Sequence, residues 1–456
     1  MNDFTTGKIS KQLLLFSIPM LIGNLFQQMY SVVDMLVVGR YVGGDALAAV
    51  GVSMTAAVFV ISFLQGLTTG ASVVISQFFG AKEYDRLQRT VSVSIVVLFC
   101  FAVILAVLGL TLSPLILRLL NTNADVFDDA LAYLRILLAG IVFPVFYNMY
   151  TAYMRALGDS RRPLYFLICA TLLNIVLDLF FVIVLDMGVP GVAIATIIAQ
   201  AVAAALCFIY ATLRVQLLKV RKLVFDSKLF RLILRYGTPA AMQLSIVSLA
   251  QLSITRLINS FGSAAMAGIF AASRIDQFAI MPISNLSMAM STFVAQNMGA
   301  GLEERAKKGF HRALLYMLIC AVFMSAVLMA FSHPLIALFL NKGDANTPEI
   351  LRIGGEYLNV LVIFYFLFAF LFAFNGFFRG VGDAVMAMVF PIVSLTVRAL
   401  AAYGLIGFFA MGPEALAWSI PIGWGLSSAL SWLYYKKRLW AGKTVVNSEI
   451  GVWSTE

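Results

Sequence analysis

The feature that most constrains this chain is a run of about 20 or more apolar residues, closed by charge, glycine or proline, that recurs twelve times along 456 residues. A bilayer-spanning helix needs about 20 such residues, whereas a membrane β-barrel would show alternating segments of about ten. Spans are expected near 13–38, 47–79, 91–117, 130–154, 163–185, 190–213, 233–261, 264–298, 313–340, 353–378, 385–410 and 414–435. The composition agrees: 61% of residues are apolar and only 12% charged, against roughly half and a quarter in soluble domains. The expected fold class is an all-α polytopic membrane protein.

A formal charge of +10 would suggest a nucleic-acid partner in a soluble protein, but here its distribution is a topology signal. With the N-terminus placed in the cytoplasm, 24 of the 32 lysines and arginines fall in inner segments. Five (Arg40, Arg118, Arg135, Lys342 and Arg352) lie on the outer side and three (Arg256, Arg274 and Arg398) within spans. Cationic loops stay inside, so both termini are expected in the cytoplasm of a plasma-membrane protein, with the lipid bilayer as partner and no nucleic acid. Cys100, Cys169, Cys207 and Cys320 each sit in an apolar run without a CxxC pair, and read as small hydrophobes. The polar segment Met1 to Lys11 runs straight into a long span, so no cleaved signal peptide is expected.

The chain repeats itself. Gly43, Gln77, Gly80, Ala81 and Arg86 recur 219 positions later as Gly262, Gln296, Gly299, Ala300 and Arg305. Arg155, Gly158, Asp159 and Gly188 recur 224 positions later as Arg379, Gly382, Asp383 and Gly412, which implies a five-residue insertion between the blocks. Six spans per half is an even number, so both halves enter from the same side: two parallel six-helix lobes with pseudo-twofold symmetry, suited to rocking about a central cavity. The expected domains are an N-terminal lobe over 1–213, a basic cytoplasmic linker over 214–235 and a C-terminal lobe over 236–456.

Acids within the spans are few: Asp34, Asp178 and Asp276. A carboxylate at the bilayer centre costs about 2.5 to 3.5 kcal/mol on insertion scales, so it faces protein or water and is a functional candidate. Gln27, Ser31 and Asp34 fall at i, i+4, i+7, and Thr171, Asn174 and Asp178 at i, i+3, i+7, each making one polar stripe; Thr196 and Gln200 make a third. At 1.5 Å per residue, Asp34, Asp178 and Thr196 lie about 6, 10 and 9 Å below the outer ends of their spans. Two carboxylates with amide and hydroxyl oxygens suit a proton or Na⁺. Gln27, Tyr30, Thr171 and Gln200 are candidate contacts of a substrate cavity, and Pro19 a place for the first helix to bend. In the second half, Arg398, Ala402 and Ser253 stand where Asn174, Asp178 and Asp34 would be. Asp276, two residues from Arg274, is open to an ion pair or a transport role. No Walker loop, metal motif or nucleophile and base arrangement is present, so no enzyme and no cofactor are expected.

IPMLIGNLFQQMYSVVDMLVVG in the first span, SQFFGAK at 76–82 with its echo AQNMGAG at 295–301, and RALGDSRRP at 155–163 with its echo RGVGDA together resemble the multidrug and toxic compound extrusion (MATE) transporters over nearly the whole chain. Resemblance to the DinF-like bacterial branch implies a cation-coupling site at Asp34, Asn174, Asp178 and Thr196, and a bending role for Pro19. The Glu and Asp that the NorM-like branch carries on its seventh and tenth helices have no counterpart: Val247 and Ser248 stand near the first place, and apolar residues and tyrosine fill 361–374. The implied function is export of amphipathic or cationic drugs and toxins from the cytoplasm in exchange for H⁺ or Na⁺, for which a monomer suffices. The alternative is a flippase for lipid-linked saccharide precursors in the same superfamily, with Arg256, Arg274 and Arg398 in its favour.

Overall fold

A computed structural model describes residues 2–220, 222–339 and 347–446, and, of α8 below, all but the side chains of Leu252, Ser253 and Arg256. Lys342 and the side chains of Ser253 and Arg256 thus lie outside the described residues. Fourteen α-helices and no strand occur among them. The first seven are α1 (Ile9–Tyr41), α2 (Gly44–Gly80), α3 (Tyr84–Leu119), α4 (Ala124–Ala139), α5 (Val142–Ala156), α6 (Arg161–Leu179) and α7 (Gly188–Arg214). The other seven are α8 (Ser227–Asn259), α9 (Ser263–Gly299), α10 (Glu303–Ala337), α11 (Thr347–Ile363), α12 (Tyr365–Val381), α13 (Ala384–Phe409) and α14 (Glu414–Lys436).

Fourteen helices make twelve spans because two spans are broken. α4 and α5 meet at 48°, and α11 and α12 at 54°, so the sequence-expected spans 130–154 and 353–378 are each a bent pair rather than one helix. Eight helices are by themselves long and apolar enough to cross a membrane, and each bent pair adds one. α8 and α14 are the repeat partners of α1 and α7, which do qualify, and they complete six spans in each half. The repeat is visible in the boundaries, since α2 and α9 begin and end 219 positions apart. The five-residue insertion falls between α10 and α11, around residues 340–346, which lie outside the described residues. Glycine persists at 158 and 382 because both have positive φ, +78° and +102°, where a Cβ is strained.

By packing the chain forms two units, Met1–Asp3 with Ile18–Met242 and Phe4–Ser17 with Gln243–Glu456. In the first, α8 passes against α2 so closely that a Cβ on Gly66 would lie 2.1 Å from Ala241 Cα, and one on Gly70 2.3 Å from Gly237 Cα. Two glycines four apart clear one helix face for backbone contact, the means by which helices associate where lipid supplies no hydrophobic drive. In the second, the start of the chain is tied down by polar side chains. Phe4 N–H donates to Gln296 Oε1 at 3.0 Å, and Arg305 donates to the Phe4, Thr6 and Gly7 carbonyls at 3.0, 2.8 and 2.9 Å. The Phe4 ring is 1% exposed and packs edge-on against Phe16.

Candidate functional site: a carboxylate pair in the first six spans

Asp34 of α1 and Asn174 and Asp178 of α6 are each 0% exposed. The Asn174 amide, oriented with its nitrogen toward the acids as their oxygens require, joins the two, donating to Asp34 Oδ1 at 2.9 Å and to Asp178 Oδ2 at 3.2 Å. The i, i+4 spacing of Asn174 and Asp178 puts both on one face of α6, and α1 brings Asp34 against it.

The amide satisfies only one oxygen of each acid. Among the described residues, Asp34 Oδ2, Asp178 Oδ1, Gln200 Oε1 and the hydroxyls of Tyr30, Tyr133, Thr171 and Thr196 are buried without a well-formed hydrogen bond, the two carboxyl groups lying against each other. Tyr30 and Tyr133 both approach Thr196 and the acid pair. A buried polar atom left unpaired is costly, and several oxygens gathered around two carboxylates are the donor set a proton or a small hard cation satisfies.

One turn beyond the acids the surroundings become apolar. Val37 and Val38 follow Asp34, Val182 follows Asp178, and Val189, Val192 and Ala193 precede Thr196; with Tyr133 they form one buried cluster. Apolar side chains pack closely on that side of the acids. α6 also changes character here, as residues Phe180–Val184 form a π-helical turn directly after Asp178 and Leu179. Such a turn inserts a residue into the helical ladder and often accompanies functional sites. Near Thr196 the chain bends at Gly140, between α4 and α5, where a Cβ would lie 2.3 Å from Ile197 Cδ1.

Of the other residues singled out from sequence, Tyr30 stands at the acids, and Thr171 and Gln200 one helical turn from Asn174 and Thr196. Gln27 does not join them. It is exposed and lines a pocket of about 50 Å³ with Pro19, Gly23, Asn24, Asn148 and Arg155. Pro19 lies inside α1 and faces that pocket, where its missing N–H frees a carbonyl one turn earlier. Tyr133 was not anticipated; the signal for it is its repeat partner Tyr357, 224 positions on.

The second six spans hold a different cluster. Asp276 of α9 accepts a hydrogen bond from Tyr365 Oη at 2.7 Å, and Arg398 of α13 lies within electrostatic reach of Asp276 and of the Tyr357 hydroxyl. The ion pair with Arg274 entertained from sequence does not form, and Arg274 is exposed. Residues two apart point to nearly opposite sides of a helix, so Asp276 turns to α12 and α13 instead.

The MatE family model matches residues 19–180 and 239–403. This chain belongs to the MATE family, a family of membrane transporters. The MATE-family chain is 30% identical over 446 residues to the probable multidrug resistance protein YpnP of Bacillus subtilis (strain 168), covering 96% of this chain and 97% of that one. It is 25% identical to the probable multidrug resistance protein NorM of Thermotoga maritima, over 97% of this chain and 95% of the relative. Among solved structures, an outward-facing multidrug resistance MATE family transporter of the MOP superfamily matches with a TM-score of 0.87 at 25% identity, covering 95% of this chain and 97% of that chain. A MATE protein in its bent conformation matches with a TM-score of 0.89 at 24% identity, covering 95% and 96% of the two chains, and shares the fold. Twelve spans in two six-span lobes are therefore the family's architecture as well as this chain's.

Proposed function

We propose that this MATE-family protein is an antiporter that exports amphipathic or cationic organic compounds from the cytoplasm by alternating access, in exchange for H⁺ or Na⁺. The observation that carries the reading is the Asn174-bridged pair Asp34 and Asp178 with its unsatisfied oxygens. A bound cation or proton and a positively charged drug both draw on these carboxylates, so occupancy by one disfavours the other, which is the linkage an exchanger needs. Each entering charge is worth about 2.3 kcal/mol per 100 mV, enough for about a fiftyfold substrate gradient. YpnP and the Thermotoga NorM are named as probable multidrug resistance proteins, which supports drugs as the cargo.

In this reading Asp34, Asn174, Asp178 and Thr196 hold the coupling ion. Tyr30, Thr171 and Gln200 line the substrate path beside them, Gln27 lines it nearer Pro19, and α1 bends at Pro19. The working parts are the lobes 1–213 and 236–456 joined by the linker 214–235, with both termini cytoplasmic, no cofactor and a monomer as the transporting species. The saccharide-lipid flippase weighed from sequence is not favoured, because the relatives matched across nearly the whole chain are named for multidrug resistance.

The test is ethidium efflux from energised cells expressing wild type or Asp178→Asn at equal levels, with external Na⁺ and pH varied independently. Wild type is expected to extrude dye with a dependence on one of the two ions, and the variant to lose both efflux and that dependence. Equal efflux by the two proteins would remove Asp178 from coupling and sink the proposal.

A further inference from the structure

The segment between α7 and α8 folds back along the beginning of α3. Ser92 pins it, accepting from Val224 N–H at 2.8 Å and reaching the Lys222 and Val224 carbonyls at 3.3 Å; Gln88 Nε2 donates to the Gln216 carbonyl at 2.9 Å. Between helix and segment lies a cleft of about 350 Å³ lined by Asp85, Gln88, Arg89, Ser92, Lys219 and Lys222, room for roughly a dozen waters at about 30 Å³ each. Three cations face one acid there. Arg89, Lys219 and Lys222 are exposed, and among the described residues none has an ion-pair partner within 4.0 Å.

The repeat-equivalent start of α10 provides its own anions. Lys307 pairs with Glu303 at 2.7 Å and with Glu304 at 2.8 Å, and Arg438 pairs with Glu303 at 2.5 Å. The α3 cleft keeps an uncompensated positive charge while its backbone is held fixed. Beside Lys222 the segment also exposes an apolar run, Leu223 at 67%, Val224 at 45% and Phe225 at 60%. Cations fixed next to bare apolar side chains match the boundary where headgroups give way to acyl chains, with the phosphate at the cations and the tails against the apolar run.

From this geometry we infer that the cleft binds the headgroup of an anionic phospholipid, its phosphodiester held by Arg89, Lys219 and Lys222 and its acyl chains lying along Leu223 and Phe225. Asp85 in the lining disfavours a second phosphate and favours a hydroxylated headgroup such as phosphoglycerol. The leaflet concerned follows the orientation in the proposed function, but binding depends on neither orientation nor transport.

The experiment uses the full-length protein in a neutral detergent, with native mass spectrometry during titration by phosphatidylglycerol or phosphatidylcholine. Wild type should retain phosphatidylglycerol selectively. The combined Arg89→Gln, Lys219→Gln and Lys222→Gln variant should bind it about a hundredfold more weakly, since each basic residue near an anionic lipid contributes a factor of about five. A control variant carrying Lys8→Gln, Lys11→Gln and Arg312→Gln removes the same charge elsewhere and should leave binding unchanged. Leu223→Ser with Phe225→Ser should weaken the lipid while leaving binding of soluble glycerophosphate unchanged. Equal retention of phosphatidylglycerol by wild type and the triple cleft variant, or equal loss in the control variant, would overturn the inference. So would competition by inorganic phosphate or glycerophosphate at the lipid's own concentration, which would make the ligand a free phosphate. Loss of dye efflux with lipid binding intact would count against the transport reading alone.

Discussion

At 224 positions from Tyr133, Asn174 and Asp178 of the first lobe stand Tyr357, Arg398 and Ala402 of the second. The tyrosine is kept, the amide that joined two acids has become a guanidinium, and the acid has become a methyl group. The bend is kept as well, since the Gly140 break between α4 and α5 corresponds to Phe364 between α11 and α12. In the first lobe two carboxyl groups are buried together with oxygens left unsatisfied. In the second, an arginine faces Asp276, whose Oδ1 is occupied by Tyr365. One framework thus hosts a buried pair of carboxyl groups and, in the other lobe, a single acid that faces a tyrosine and an arginine. What binds is set by a few side chains, while the helices, bends and glycine turns are common to both.

The most severe test of that contrast is to move the acid. Combining Asp178→Ala with Ala402→Asp should reduce dye efflux to the level of cells without the protein, because the transplanted carboxylate lies one turn from Arg398 and is neutralised there. Efflux restored by the double change would show that either lobe can house the coupling pair. Next in size is a packing asymmetry at positions 219 apart. Gly70→Ala drives a methyl into the α8 backbone and should cost about 3 kcal/mol or more, seen as loss of monodisperse protein after mild heating. At the equivalent place the second lobe already has Ala289, 0% exposed, and Ala289→Gly should cost only about 1 kcal/mol. Smallest is Tyr365→Phe, which removes one hydrogen bond to Asp276 for about 1 kcal/mol and should leave transport within the scatter of wild type. A large transport defect there would mean that the second lobe's cluster also takes part in export.

The spans could be read from the sequence because hydropathy over 20 residues reports what lipid tolerates, and the glycine and arginine echoes exposed the duplication. The breaks at 140 and 364 escaped notice because a bent span keeps the apolar composition of a straight one, and Phe364 carries no breaker signal at all. The π-helical turn after Asp178 is equally silent, being made of Phe, Val and Ile. Asp34, Asn174 and Asp178 stood out as rare polar residues at helical spacing, and they meet in the structure. Gln27 shares their stripe, yet it lies two turns from Asp34, far enough along α1 to face a different pocket. Tyr133 was hidden because a lone aromatic residue in an apolar helix looks like packing. For Asp276 the sequence leaves an ion pair with Arg274 and a transport role both open, because its neighbours Tyr365 and Arg398 come from helices about 90 and 120 residues further on.

The assignment of Phe4–Ser17 to the second packing unit, while the rest of α1 belongs to the first, bears on how the protein is made. Phe4 has its hydrogen-bond partners in Gln296 and Asn297, 292 and 293 positions later in the chain. Until α9 is synthesised and inserted, the segment around Phe4 that precedes α1 lacks these partners, and until Gly237 and Ala241 emerge, the glycine face of α2 is uncovered. The first half therefore cannot finish folding before the second begins to be translated. Biogenesis must hold the first six spans in an incomplete state, exposed to quality control in the membrane, until the second half begins to arrive.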